Sequence, residues 1–184
     1  CEYCFENKAG HHLSLDHLAV LIEKVMDFLA RKHIDRLSIY WQGGEVMTLP
    51  PEWFEQAHRI IRRSAEARKK EVVHYLQSNM IGYSRKWNKV IQEMFGNSVG
   101  SSMDFPNLHR KIKDGVPEEY ARLWIRKVRE ARECGIKVSV IAIPNDQTLQ
   151  IGAKRFYSYF VDELGISEFQ VNTPFSGGSS NQVK

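Results

Sequence analysis

Cysteine is scarce in this 184-residue chain: Cys1, Cys4 and Cys134 are the only three. An odd count with one close pair argues against a disulfide framework and for a reducing, cytoplasmic setting. Long apolar runs are missing as well. None approaches the roughly 20 residues of a bilayer-spanning helix, so no membrane partner is expected. No charged-then-apolar stretch of the signal-peptide type stands at the start. Charge of one sign is not in large excess, with a formal net charge of +4. The basic surplus gathers at Arg59, Arg62, Arg63, Arg68, Lys69 and Lys70, interleaved with Ile60 and Ile61. That pattern reads as a solvated outer helix face and not as a nucleic-acid surface. No repeat by residue identity and no second domain is visible.

What is present fits one soluble globular domain: 42% hydrophobic and 26% charged residues, enough for a sizeable core. The chain opens on a cysteine without a methionine, so residues 1–184 read as a core segment of a longer protein. Apolar residues at helical spacing predict helices over 15–32 (capped by Ser14 or Asp16), 50–69, 87–95, 117–133 and 148–164. Short β-branched and aromatic runs predict strands over 37–41, 72–79, 98–104, 138–143 and 169–172. Residues 177–181 look like a frayed end. Strands alternating with amphipathic helices are the signature of a parallel α/β sheet. Alternation alone does not separate a doubly wound sheet from an open or closed barrel.

Polar or small residues cluster where each strand ends. They are Gln42-Gly43-Gly44-Glu45, Gln77-Ser78-Asn79, Ser102 with Asp104, Asn145, and Gln170 with Asn172. Ligands of parallel α/β folds lie outside the carboxyl ends of the strands, so these groups are expected to face one cavity. Each has a plainer reading. Gly43-Gly44 alone is as often a tight turn, Asn145 a helix cap, and Ser102 and Asp104 caps of the following turn. The loop with Cys1 and Cys4 precedes the first helix and so lies at the same end. A C-x-x-C pair suits zinc, thiol redox work or an iron–sulfur cluster. Cys1, Cys4, His12 and His17 have the ligand types of a structural zinc site, which gives an alternative: a non-catalytic, zinc-stabilised binding module. Its seven-residue spacer is short, and it leaves the polar strand ends unexplained.

Taken together and in order, these motifs resemble the radical SAM enzymes, in the branch of anaerobic sulfatase maturases and other peptide-modifying members. Cys1-Glu2-Tyr3-Cys4 is similar to the second half of their C-x3-C-x2-C loop, with its aromatic before the last cysteine. Gly43-Gly44-Glu45 matches their Gly-Gly-Glu, and Gln77-Ser78-Asn79 resembles their Gln-Thr-Asn-Gly. Ser102-Met103-Asp104-Phe105-Pro106 with His109 resembles their Ser-Leu-Asp-Gly-Pro, and Asn145 their closing asparagine. Val46, Met80 and Phe105 stand where the family has proline, glycine and glycine.

The resemblance implies a partial (βα)6 TIM-like barrel whose first strand and last helix lie beyond this chain. It implies a [4Fe–4S] cluster held by Cys1, Cys4 and a third cysteine upstream, and S-adenosylmethionine on the open iron. Reductive cleavage there makes a 5′-deoxyadenosyl radical that attacks a peptide or protein side chain, with electrons from a flavodoxin or ferredoxin. Gln42, Gly43, Gly44, Glu45, Gln77, Ser78, Asn79, Ser102 and Asn145 are implied as cofactor contacts, with Tyr3 near the adenine. Asp104 is implied as a cofactor contact or a catalytic group facing the substrate.

Overall fold

A computed structural model describes Cys4 and residues 10–173. Cys1, Tyr3 and the expected frayed end at 177–181 lie outside those residues. Five helices and five strands alternate among them: α1 Leu15–Arg31, β1 Arg36–Trp41, α2 Pro51–Ala67, β2 Glu71–Leu76, α3 Asn88–Met94, β3 Ser98–Ser102, α4 Pro117–Glu133, β4 Lys137–Ala142, α5 Asp146–Ser158 and β5 Phe169–Val171. Local chemistry sets the boundaries. Ser14 caps α1 by accepting from the His17 N–H at 3.1 Å. Prolines open α2 and α4, where a missing N–H costs nothing. Gly135, at φ +78°, turns the chain out of α4.

The expected helix over 148–164 differs. It begins at Asp146, because Asn145 and Thr148 form a reciprocal capping box. Gly152 interrupts it at φ +78°, and a wide π-type turn, Tyr159–Glu163, ends it.

All strand pairs are parallel. They form two sheets, β1-β2 and β3-β4-β5. Among the described residues the end of β2 ties the sheets together at the middle of β3: Gln77 bridges to Gly100, and the Ser78 N–H donates to the Gly100 carbonyl at 2.9 Å. Strand order therefore follows chain order, without the reversal of a doubly wound sheet.

Helices cover one face. Leu18, Ile22, Met26 and Leu29 of α1 meet Ala57, Ile61 and Ala65 of α2 over Leu37 and Ile39 of β1. A larger core runs from Met47 to Ile166 around Phe54, Trp87, Trp124 and Phe160. Trp124 is fully buried, and its indole N–H donates to Ser101 at 2.9 Å. On the opposite face Tyr40 and Tyr75 sit side by side in register, stacked at 4.7 Å and 64% and 42% exposed.

The basic stretch of α2 divides in two. Arg59, Arg62 and Arg63 are exposed as expected, whereas Arg68 reaches Glu23 and Asp27 of α1 and helps hold the helix pair. No helix among the described residues is long and apolar enough to cross a membrane.

His74 is buried on β2 and accepts the Trp41 indole N–H at Nδ1, 3.1 Å away, with the His58 ring 5.5 Å off. Burial, and then His58, hold its pKa down at about 4. Between about pH 6.5 and 4 the unfolded chain binds a proton that the folded one refuses, so this stability is full above the window and lost as pH falls through it. His74→Gln, which keeps an acceptor without titrating, is expected to flatten the pH dependence of urea unfolding in that window.

Candidate functional site

The site is built where the strands end, because a parallel ladder stops supplying partners there. At the tip of β1, Gly43 and Gly44 take φ +99° and +58°, a region costly for residues with a Cβ. A Cβ built on either meets nothing within 4 Å. Their peptide groups make no hydrogen bond among the described residues. Two adjacent backbone units thus face open space with donors and acceptors unspent, beside the exposed Gln42.

Glu45 closes the same turn inward. Its Oε1 accepts from the Met47 N–H at 3.0 Å and the Ser78 hydroxyl at 2.6 Å, and its Oε2 from the Asn79 N–H at 2.8 Å. Ser78, expected as a ligand contact, is buried and also accepts from the Met80 N–H. Asn79 spends its Oδ1 on the Ile81 N–H, an Asx turn. Met80, where the resemblance would place a glycine, has φ +63° and is fully buried. The backbone there keeps a glycine-like shape under a methionine.

At the β2–β3 seam the Gln77 side chain lies across Gly100 and its Nε2 donates to Ser102 at 3.0 Å. Ser102 accepts that bond, which leaves its own hydroxyl proton to donate elsewhere.

Asp104 differs from the ligand-facing carboxylate expected of it. It is 2% exposed and meets the Arg110 fork at 2.9 and 3.0 Å, and it accepts the Ile143 N–H at 2.9 Å. A charge taken out of water needs such a partner, and a two-pronged guanidinium supplies it. Asn145 is likewise turned to structure. Its Oδ1 caps α5 at the Thr148 N–H, and its Nδ2 donates to the Pro106 carbonyl at 2.9 Å. Gln170 and Asn172 hydrogen-bond each other at the exposed tip of β5.

Arg110 and Tyr120 are the residues that sequence reasoning missed. Burial pushes the Tyr120 phenol up to about 12, Arg110 opposing and the Glu45 and Asp104 carboxylates adding to it. Tyr120 is buried on α4, within electrostatic reach of both carboxylates. Phe105, the other residue where the resemblance would place a glycine, stacks on Tyr159 at 3.7 Å with the Arg155 guanidinium 4.8 Å over its ring.

Cys4 is half-buried with a free thiol; its partner Cys1 and Tyr3 lie outside the described residues. The zinc alternative is not assembled among the described residues. No group of three or more metal-ligating side chains forms there, and His12 and His17 are both exposed at the start of α1.

The fold is that of radical SAM peptide-modifying enzymes of known structure. Native anSMEcpe with bound AdoMet and Kp18Cys peptide superposes with a TM-score of 0.79 at 20% identity, over 96% of this chain and 48% of that one. Streptococcus suis SuiB bound to S-adenosylmethionine gives 0.55 at 16%, over 100% of this chain and 40% of that one. SuiB bound to its precursor peptide SuiA gives 0.52 at 16%. The chain thus spans 36% to 48% of the length of these structures, and the likeness is one of fold. No family model and no curated protein matches the sequence.

A Cβ on Gly100 sits 2.2 Å from the Gln77 Oε1. Gly100→Ala is expected to drive that amide off Ser102 and cost on the order of 1 kcal/mol in urea unfolding. In a Gln77→Ala background most of that cost should vanish, which a double-mutant cycle reads directly.

Proposed function

We propose that this chain is the cofactor-binding core of a radical SAM enzyme acting on a peptide or protein side chain. In this reading the sequential parallel strands are part of an incomplete (βα) barrel, with the site at its carboxyl-end rim. The observation that carries it is the pair of open peptide groups at Gly43 and Gly44. They stand at the rim of a fold shared along nearly the whole chain with an AdoMet-bound structure. Two backbone units without side chains, held in a turn and unpaired, suit the amino and carboxylate end of an amino-acid cofactor. S-Adenosylmethionine is such a molecule.

The residues present fit that cofactor. Gly43 and Gly44 receive its amino group through the backbone, and Ser102 offers a hydroxyl proton to a carboxylate or ribose oxygen. Cys4, with Cys1, supplies thiolates for a [4Fe–4S] cluster, which when bound delivers the single electron that cleaves the sulfonium. Asp104 with Arg110, and Asn145 with Thr148, hold the β3 and β4 tips still around it. The reading extends to two partners. One is a peptide, by analogy with the Kp18Cys and SuiA peptides of the neighbours; the other is a flavodoxin- or ferredoxin-type electron donor.

Anaerobic reconstitution of the complete protein with iron and sulfide tests this. A brown protein with broad visible absorption that cleaves S-adenosylmethionine is expected; a colourless protein holding one zinc ion overturns it. Gly43→Val is expected to abolish cofactor cleavage at unchanged iron content, because a β-branched residue at φ +99° both strains the turn and fills the approach. Cys4→Ala is expected to lose the cluster itself, read as iron and sulfide per chain.

A further inference from the structure

The Glu45 carboxylate sits beside the open turn, yet its bonds point the other way. Three donors converge on it: Met47 from its own loop, and Ser78 and Asn79 from the end of β2. A carboxylate offers about four lone-pair sites, so most of its capacity is spent inside the protein. The Ser78 hydroxyl that holds it is 3% exposed and is itself fixed by the Met80 N–H at 3.0 Å. Beyond the Trp41 carbonyl, which accepts the Gln77 N–H at 3.0 Å, the turn at 42–44 gains no further ladder bond to β2 among the described residues. Glu45 is the next attachment between the two strand ends.

We infer that Glu45 is a positioning residue. Its carboxylate clips the Gly43-Gly44 turn to the tip of β2 and does not itself hold the ligand. The clip keeps two flexible glycines in one left-handed arrangement, so the cost of ordering them is met during folding and not at binding. The inference rests on the function proposed above for the nature of the ligand, S-adenosylmethionine, while the clip itself stands on the hydrogen bonds alone.

Glu45→Gln keeps the size of the side chain but sets an amide NH2 against the Asn79 N–H in one orientation and against the Met47 N–H in the other. In the complete, anaerobically reconstituted protein, three results are expected. The affinity for S-adenosylmethionine, by calorimetry, falls at least about tenfold. Iron content stays unchanged. Ligand-free amide exchange speeds up at residues 43–47 and at Asn79, while β4 keeps its protection. Ser78→Ala is expected to weaken binding less, and the double variant to bind no worse than Glu45→Gln alone, since the hydroxyl acts through the carboxylate.

A direct ligand contact predicts another outcome: weaker binding of Glu45→Gln with ligand-free exchange as in the wild type. That result, or an affinity within twofold of wild type, overturns the inference. Wild-type protein that holds its cluster and binds no S-adenosylmethionine overturns the proposed function and the ligand role of the clip together. The exchange measurement still decides whether the clip exists.

Discussion

Strands of a parallel sheet all finish at one edge, and at that edge the backbone runs out of partners. Buried N–H groups left there cost too much to tolerate, so side chains must take over the accounting. Glu45 does this for Met47 and Asn79, Asp104 for Ile143, and Asn145 for Thr148. Each belongs to one strand end and serves a neighbouring segment. The rim is therefore a web of polar ties, and among the described residues the Gly43 and Gly44 peptide groups take no part in it. The edge thus sets fixed, hydrogen-bonded groups beside one short turn whose peptide groups have no partner among the described residues.

The helices and strands were legible in the sequence because their signals are periodic and local. Leu18, Ile22, Met26 and Leu29 repeat at helical spacing and are buried as that spacing demands. Val138, Val140 and Ala142 alternate and face the core. The glycine pair was legible too, since few other residues reach that backbone shape. Roles assigned to individual polar side chains transferred less well. Asp104, Asn145 and Ser78 sit at the expected strand ends, but their hydrogen bonds run into the protein.

The reason is geometric. Asp104 finds Arg110 only because the loop after β3 doubles back, and Asn107 steers that return by bonding both the Arg110 backbone and the Pro117 carbonyl. No spacing rule encodes such a fold-back. The same holds for Phe105, whose partner Tyr159 lies 54 positions on, in the wide turn that follows α5. By contrast the capping role of Asn145 was open to prediction, as asparagine is a favoured N-cap, though Thr148 completing the box was not.

Among the described residues, backbone pairing between β2 and β3 is confined to the end of β2, where Gln77 bridges and Ser78 donates to Gly100, the middle residue of β3. The two sheets share that one backbone tie and a common apolar core, in which Leu76 of β2 belongs with Val99 of β3 and Val140 of β4. Outside that tie the seam is held by side-chain packing in place of a hydrogen-bond ladder. Relative movement of the two sheets is therefore opposed by packing along most of the seam, and by backbone hydrogen bonds only at the end of β2.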